Sequence, residues 1–272
     1  MSLTQPVVLG ILNITPDSFY SASRNMQVDA VLSKAKQMID EGAWAIDIGG
    51  MSSRPGASIL TPEEEWSRIE GVLKELQSLR ASIYLSLDTL HASTADKALS
   101  KGWVDIINDI SGGVYDKKMY EVVAHAQVPY ILMDMPGIPK TMQDNLDASR
   151  NIVNDVLSRL QHLVHEAHEA GIQDIIVDMG FGFGKTLPQN FELLQATDHF
   201  ARVLDKPICV GVSRKSMITK TLNIDSSDAL NGTTVLHSVA LLKGASILRC
   251  HDVQSANEAI QLINSLKTSS LD

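Results

Sequence analysis

The chain contains the segment Ile175-Ile-Val-Asp-Met-Gly-Phe-Gly-Phe-Gly-Lys185, in which a β-branched run ends at a carboxylate and continues into three alternating glycines. An uninterrupted apolar run of this kind is typical of a strand buried on both faces. The glycines allow positive φ angles and close approach of the backbone to a ligand. The segment therefore predicts a buried strand with Asp178 at its C-terminal end, followed by a ligand-binding loop. A solvated aspartate followed by a flexible turn is an equally good interpretation of the segment taken alone.

The same strand-then-helix pattern recurs along the whole chain. Apolar runs predict strands at 7–12, 45–48, 84–87, 105–107, 130–133, 175–177, 208–212 and 247–250. Helical spacing predicts helices at 28–41, 62–78, 92–101, 117–126, 147–170, 189–196, 215–222, 228–243 and 256–266. This alternation implies parallel strands, and eight units favour a closed barrel. We therefore expect an α/β fold, a (β/α)8 TIM barrel formed as a single domain by residues 1–272, with an open doubly wound sheet as the alternative.

Composition narrows the functional class. The 272 residues carry a formal net charge of −9, whereas nucleic-acid-binding proteins usually show a basic excess. No apolar run approaches the ~20 residues of a membrane span, and the first residues lack the features of a secretory signal. Cys209 and Cys250 lie in separate strand-like runs, as expected for buried free thiols in a reducing compartment. We expect a cytoplasmic protein that binds neither nucleic acid nor membranes.

Polar residues occupy or follow the C-terminal ends of all the predicted strands. They are Asn13, Asp47, Asp88, Asn108 with Asp109, Asp134, Asp178, Ser213, and Arg249 with His251. In a (β/α)8 barrel the loops that leave the strands build the active face, so a polar rim of this kind predicts a site. For Asp47 and Asp109 we favour a local role, in which the carboxylate caps the next helix or binds its own loop.

One part of this rim is acidic. Asp88, Asn108 and Asp178 would come from neighbouring strands, and a carboxylate can accept two parallel N–H bonds from a guanidine-like edge. Such a group suits an amino-heterocycle such as a 2-aminopyrimidinone. A metal ion is the alternative partner, which we disfavour because Lys215 should lie close by and would repel it.

The other part of the rim is basic, comprising Arg54, Arg214, Lys215, Arg249 and His251. Arg214 and Lys215 begin a predicted helix, where the helix dipole disfavours cations, so an anion or a polarised carbonyl is expected beside them. Arg249 and His251 lie two residues apart, and alternation along a strand places them on one face. Facing the barrel interior, they would suit a phosphate.

Three other patterns carry less weight. The segment 180–186 is one residue short of a P-loop and does not match the dinucleotide-binding glycine pattern. His162, His165 and His168 recur three residues apart on a long predicted helix, where a solvated surface is a better interpretation than a metal site. Motifs of zinc peptidases and serine hydrolases do not occur.

The motifs as an ordered set resemble the bacterial dihydropteroate synthases from Val8 to about Val253. They are Gly10-Ile-Leu-Asn-Ile-Thr-Pro-Asp-Ser-Phe19, Gly49-Gly-Met-Ser-Ser-Arg-Pro-Gly-Ala57, Ile106-Ile-Asn-Asp109, Pro139-Lys-Thr-Met142, Asp178-Met-Gly-Phe-Gly-Phe-Gly-Lys185, Ser213-Arg-Lys-Ser216 and Arg249-Cys-His-Asp252. The resemblance implies a homodimeric folate-pathway transferase that joins 6-hydroxymethyl-7,8-dihydropterin diphosphate to 4-aminobenzoate and releases diphosphate in the presence of Mg²⁺. The family reaction is dissociative, through a pterin-methyl cation.

The resemblance also implies roles for individual residues. The pterin and catalytic positions are Asp88, Asn108, Asp178 and Lys215. The diphosphate positions are Asn13, Ser53, Arg54, Arg249 and His251, with Asn13 also at the metal position. The 4-aminobenzoate positions, where sulfonamides compete in the family, are Phe19, Pro55, Phe183 and Ser216. Lys185 is then expected to be a structural or surface residue.

The chain departs from the family pattern at Met51, Ser53, Asp134, Pro136 and Met179, and in the segment Tyr20-Ser-Ala-Ser23. None of these changes removes a proposed catalytic group, and they concern the rim of the pocket. Two other functions stay open at this point. One is a pterin-binding methyltransferase, which would not need the diphosphate-binding basic residues, and the other is a non-catalytic pterin-binding paralogue.

Overall fold

The computed structural model describes residues 3–14, 24–52, 57–137 and 146–269, with side chains from residue 28 onward in the second range. The strands are β1 Val7–Asn13, β2 Ala45–Gly49, β3 Tyr84–Asp88, β4 Ile106–Asp109, β5 Tyr130–Met133, β6 Ile175–Asp178, β7 Ile208–Val210 and β8 Ile247–Cys250. The α-helices are α1 Arg24–Asp40, α2 Pro62–Leu76, α3 Ala92–Ser100, α4 Met119–Ala126, α5 Ile152–Glu169, α6 Leu187–Gln195, α7 Thr197–Leu204, α8 Ser216–Leu222, α9 Leu230–Leu242 and α10 Val253–Thr268.

The strands close into a barrel in sequence order, and every neighbouring pair is parallel. The last strand pairs with the first, with Leu9 opposite Arg249. The prediction of a closed (β/α)8 barrel is confirmed, and the open doubly wound sheet is wrong because β1 and β8 leave no free edge.

The apolar core has two layers that alternate along each strand. One set of side chains packs between the sheet and the helices. The opposite set points into the barrel and forms an apolar layer of Leu9, Ala45, Ile106, Ile131, Ile176, Cys209 and Ile247. This interior layer fills the barrel below the C-terminal ends of the strands. A ligand that enters from the C-terminal end of the barrel therefore reaches no deeper than the next interior position of each strand.

Local sequence signals explain the start of α2. Thr61 accepts a hydrogen bond from the Glu64 amide, and the Glu64 side chain accepts one from the Thr61 amide, which forms a capping box. Pro62 occupies the first helical position, where its missing N–H costs no helical bond. This helix start was predicted from the sequence and is confirmed.

Two helical predictions were wrong. Helix α5 begins at Ile152 instead of 147, because the Asn151 side chain accepts the Asn154 amide and caps the helix there. Helix α7 was not predicted, since it follows α6 after the single residue Ala196, with no glycine or proline to mark a break. Within the described residues, no helix has the length and apolar character needed to cross a membrane.

Candidate functional site

The site is formed by the interior positions directly above the apolar layer. Asp47, Asn108, Asp178 and Arg249 each lie two residues after a member of that layer, so they point into the barrel mouth. Asp88 ends β3 opposite Asn108, and the two side chains are almost fully buried. The predicted pterin-binding residues therefore share one polar chamber, although four of the predicted site residues, Phe19, Ser53, Arg54 and Pro55, lie outside the described residues.

Asp47 is the hub of this chamber. Its Oδ1 accepts the Ser86 hydroxyl at 2.6 Å, and its Oδ2 accepts Asn108 Nδ2 at 2.8 Å and Arg249 Nε at 2.7 Å. The predicted local capping role for Asp47 is wrong, because the carboxylate faces the barrel interior and binds residues from three other strands. Asp109 does have the predicted local role, since it accepts the amides of Ser111 and Gly113.

Arg249 joins Asp47 to the second buried acid. Its guanidinium donates to Asp88 Oδ2 at 2.5 Å as well as to Asp47. Burial raises the pKa of Asp88 to about 7, and it outweighs the opposing attraction of Arg249. Burial also disfavours the charged form of Arg249, but the two carboxylates reverse that effect and hold its pKa above the usual value. The pKa of the Asp88 carboxyl group therefore lies near neutral pH.

The third acid lies on the other side of the mouth, near Lys215. Asp178 Oδ1 accepts the Gly180 amide at 2.7 Å. Burial raises the pKa of Asp178, and Lys215 opposes this shift. Burial lowers the pKa of Lys215 to about 8, and Asp178 is the leading opposing influence. Lys215 Nζ donates to the Phe181 carbonyl at 2.5 Å, which fixes this lysine to the glycine loop.

Two glycines lie directly beside these polar groups. A Cβ atom at Gly49 would lie 3.3 Å from Asn13 Oδ1 and 3.6 Å from Asp88 Oδ2. A Cβ atom at Gly211 would lie 3.6 Å from Asp178 Oδ2 and 3.9 Å from Lys215 Nζ. A side chain at either position would contact these polar groups, so both glycines leave the groups uncovered on that side.

The basic part of the site differs from its prediction at one residue. Arg214 has a φ of 55° and directs its guanidinium to Asp252, with bonds of 2.9 and 2.6 Å. A bidentate pair of this kind satisfies the arginine, so the expectation that Arg214 faces an anion is wrong. Ser213 Oγ lies 3.0 Å from His251 Nδ1, which places the half-buried histidine at the end of β8.

Two of the residues predicted around the second substrate, Phe183 and Ser216, are within the described residues and lie at the rim. Phe183 is 7% exposed and packs in a mouth cluster with Met51, Leu90, Ile110, Met133 and Met135. Its ring centroid lies 4.8 Å from Lys215 Nζ. Ser216 is exposed at the first residue of α8. An apolar rim thus borders the polar chamber.

Lys185 has a structural role and is not a surface residue. It is 4% exposed, and its ammonium group contacts Asp134, which Arg159 also binds. The sequence does not predict this ion network. Asp134 is expected at the polar rim, and Arg159 lies within a predicted helix with no pattern that indicates its partner. The histidines of α5 agree with the surface interpretation, since His162 and His165 are exposed. Across the described ranges, no cluster of three or more His, Cys, Asp or Glu residues could hold a metal ion.

Comparison with known proteins gives one consistent family. Residues 9–251 match the family model described as pterin binding enzyme. Dihydropteroate synthase of Haemophilus influenzae is 36% identical over 264 residues, covering 96% of this chain and 94% of that protein. In the Yersinia pestis dihydropteroate synthase, solved with a sulfonamide drug, 34% of residues are identical, with a TM-score of 0.90 and coverage of 99% and 97% of the two chains.

A further solved structure is similar over the same length. Xanthomonas albilineans dihydropteroate synthase with 4-aminobenzoic acid has a TM-score of 0.90 and 31% identity, and the match covers 99% of this chain and 96% of that one. The similarity therefore spans the complete barrel. This chain belongs to the pterin-binding enzyme family and, within it, to the dihydropteroate synthases.

Proposed function

We propose that the chain joins 6-hydroxymethyl-7,8-dihydropterin diphosphate to 4-aminobenzoate in folate biosynthesis. The bond between the pterin methyl carbon and the diphosphate oxygen breaks, a bond from that carbon to the amine nitrogen forms, and the amine releases a proton. The products are 7,8-dihydropteroate and diphosphate. The observation that carries this proposal is the group of Asp88, Asn108, Asp178 and Lys215 in one open chamber above the apolar layer.

The pterin ring would enter this chamber edge first. Asp178 offers Oδ2 toward the space beside Gly211, and its Oδ1 is already held by the Gly180 amide. A carboxylate fixed in this way can accept two N–H bonds from the aminopyrimidinone edge. Asn108 and Asp88 would bind the remaining polar atoms of the ring, and Lys215 would donate to a ring oxygen or nitrogen.

The diphosphate would bind toward the ends of β1 and β8, where Asn13, Arg249 and His251 lie, and we expect Ser53 and Arg54 to contribute to the same site. Arg249 is engaged with Asp47 and Asp88. A guanidinium carries five N–H groups, so it can keep both carboxylates and still donate to a phosphate. The ion pairs would hold it in the orientation that meets the leaving group.

Mg²⁺ fits this arrangement through the amide oxygen of Asn13. That oxygen borders the space beside Gly49, on the same side as Asp88. Mg²⁺ keeps several waters and is commonly bound by one or two protein oxygens together with substrate phosphates. When bound, it would neutralise charge on the departing diphosphate. Asn13 would hold it, and Arg54 and Arg249 would orient the phosphates.

The chemistry places its main demand on the leaving group. An aromatic amine is neutral and needs no strong base, so stabilisation should concentrate on the negative charge that develops on diphosphate. Asp88 and Asp178 would in turn favour positive charge on the pterin as the bond breaks. The segments after β1 and β2 carry predicted site residues, which we expect to cover the intermediate and exclude water.

The second substrate, 4-aminobenzoate, would lie at the apolar rim formed by Phe183, together with Phe19, Pro55 and Ser216. The relatives solved with 4-aminobenzoic acid and with a sulfonamide drug support this choice of ligand and an inhibitor class that competes with it. Ser216 at the start of α8 would meet the carboxylate end, where the helix N-terminus favours negative charge.

Two further properties belong to the proposal. Exposed Val235 and Leu242 on α9 with Leu262 and Leu266 on α10 support a homodimer formed through these packed helices. The free, buried thiols of Cys209 and Cys250 support a cytoplasmic location. A pterin-binding methyltransferase and a non-catalytic paralogue are less well supported, because neither would need Asn13, Arg249 and His251 to bind a diphosphate.

The decisive experiment is a diphosphate-release assay with purified chain, Mg²⁺ and pterin diphosphate, with and without 4-aminobenzoate. We expect release that depends on the amine and yields dihydropteroate. Omission of 4-aminobenzoate is the internal control for hydrolysis. Absence of product at saturating concentrations of both substrates would exclude the synthase, and rescue of a folate-synthesis mutant would separate it from the methyltransferase and the paralogue.

A further inference from the structure

Lys185 ends the glycine loop that follows β6, and its ammonium group lies buried beneath that loop. Nζ contacts Asp134 Oδ2 at 2.9 Å, the Asp134 carbonyl at 3.2 Å, and the carbonyls of Gly180 and Phe183 at 3.0 Å each. An ammonium group has three N–H donors. Four oxygens around it use its full capacity, so Lys185 holds protein atoms and has no donor left for a substrate.

Asp134 connects this ammonium group to helix α5. Arg159 donates from Nε to Oδ1 at 2.6 Å and from Nη2 to Oδ2 at 3.0 Å, which forms a bidentate pair. Burial acts to raise the pKa of Asp134, but Lys185 and Arg159 outweigh it and hold the pKa below its usual value. The charged carboxylate therefore ties the segment after β5, the loop after β6 and α5 into one unit.

The glycine loop is fitted closely to this unit. Gly180 has a φ of 68°, and a Cβ atom there would lie 1.9 Å from the Asp134 carbonyl oxygen. The Phe183 amide donates to the Gly180 carbonyl at 3.1 Å, which is the same oxygen that Lys185 binds. Loss of the ammonium group would release the carbonyls of Gly180 and Phe183 together, and with them the backbone that carries the Phe183 ring.

Asp178 also contacts this loop, since its Oδ1 accepts the Gly180 amide, but its backbone is held by the strand pairing of β6. It is part of β6 and is paired in register with Met133 on one side and Cys209 on the other. Phe183 lies five residues beyond that strand, and its backbone is fixed through Gly180 and Lys185. A disturbance of the buried ion network should therefore move the ring of Phe183 more than the carboxylate of Asp178.

We propose that Lys185, Asp134 and Arg159 form a positioning unit that sets the place of Phe183 at the second-substrate pocket. The proposal rests on the proposed function, in which Phe183 borders 4-aminobenzoate. None of the three residues touches a substrate. Their influence passes through the loop backbone, and it acts on capture of the aromatic amine while leaving recognition of the pterin edge largely intact.

The test compares Lys185→Met with Lys243→Met. Lys243 pairs at 4.0 Å with Asp198 and follows α9 at the opposite end of the barrel, so it is a matched control for the same chemical change. For Lys185→Met we expect the KM for 4-aminobenzoate to rise about tenfold or more, because a small displacement of a substrate-positioning group has effects of this order. The Kd for pterin diphosphate, measured by calorimetry, should change less than about threefold, as it should in the control.

Arg159→Met provides a second variant if Lys185→Met does not fold. It leaves Lys185 and Asp134 in place, so a rise in the KM for 4-aminobenzoate of about threefold is expected, again with little change in pterin affinity. An unchanged KM in folded Arg159→Met, or equal losses of pterin and amine binding in Lys185→Met, would overturn the proposal.

Hydrogen exchange separates this proposal from the proposed function. In Lys185→Met, amide exchange across residues 180–185 should accelerate while exchange in β5 and β6 stays slow, and Lys243→Met should show neither change. If the unmodified chain lacks synthase activity but exchange accelerates as described, the positioning unit stands and the proposed function fails. An active chain whose loop exchange is unaltered by Lys185→Met would instead overturn the positioning unit.

Discussion

Lys185 and Lys215 both place an ammonium group near the barrel mouth, but the atoms around the two ammonium groups differ. Four oxygens, one of them a carboxylate oxygen at 2.9 Å, surround Nζ of Lys185. Nζ of Lys215 donates to the Phe181 carbonyl and lies 4.8 Å from the centroid of the Phe183 ring, and its side chain is partly exposed. The comparison indicates that a buried ammonium group with a complete set of acceptors holds structure, whereas Lys215, with one hydrogen-bonded carbonyl and a partly exposed side chain, keeps N–H donors for a ligand.

Substituting each lysine with methionine should separate these roles most clearly. For Lys215→Met we expect kcat/KM to fall roughly 100- to 1000-fold, because losing one partner of a buried charged hydrogen bond costs about 2–5 kcal/mol. We expect no loss in the free energy of unfolding, since the change removes a buried charge. For Lys185→Met we expect a loss of stability of about 3 kcal/mol, because the change removes one partner of a buried ion network.

Urea unfolding followed by tryptophan fluorescence and steady-state kinetics measure the two effects. The comparison would fail if both variants lost the same stability and the same activity. It would be reversed if Lys215→Met unfolded while Lys185→Met kept its stability. Lys243→Met again serves as the control for loss of a lysine charge.

The pH dependence should show a smaller effect with a defined sign. Asp88 must be charged to accept pterin N–H groups, so kcat/KM should rise as pH passes about 7. Lys215 must be charged to donate, so kcat/KM should fall as pH passes about 8. We expect a narrow bell-shaped pH profile of kcat/KM, with each limb approaching a tenfold change per pH unit. A flat profile across this range would contradict the assignment of Asp88 and Lys215 as the titrating groups.

The stability contributed by Lys215 should change in the opposite direction. Its pKa is lower in the folded chain than the ordinary value of 10.5, so the unfolded chain binds more protons between about pH 8 and 10.5. Lys215 therefore destabilises the fold below pH 8, and this penalty fades as pH rises through that window. The difference in unfolding free energy between Lys215→Met and the unmodified chain measures it.

The barrel and its rim could be predicted because both depend on short-range patterns. Strand periodicity and the polar residue at each strand end are visible within a few positions. The loop carboxylate Asp109 was also interpreted correctly, since its partners Ser111 and Gly113 lie in its own loop.

The networks inside the barrel could not be predicted in the same way. Asp47 binds Arg249, 202 positions away, and that pairing exists only once the barrel has closed. Arg214 has a left-handed backbone conformation that turns it toward Asp252, 38 positions on. Lys185 meets Asp134 across 51 positions, through the close contact of two loops. In each case the sequence identified a charged residue and the folded chain determined its partner.

Pterin recognition by the carboxylates of the barrel mouth is tested most directly by one binding measurement. Calorimetric titration of pterin diphosphate into the unmodified chain and into Asp178→Asn compares two proteins of nearly identical shape. Asparagine presents an N–H group where the pterin edge also donates, so we expect affinity to fall roughly 100-fold. Near-equal affinity of the two proteins would contradict the assignment of Asp178 as the residue that reads the pterin edge.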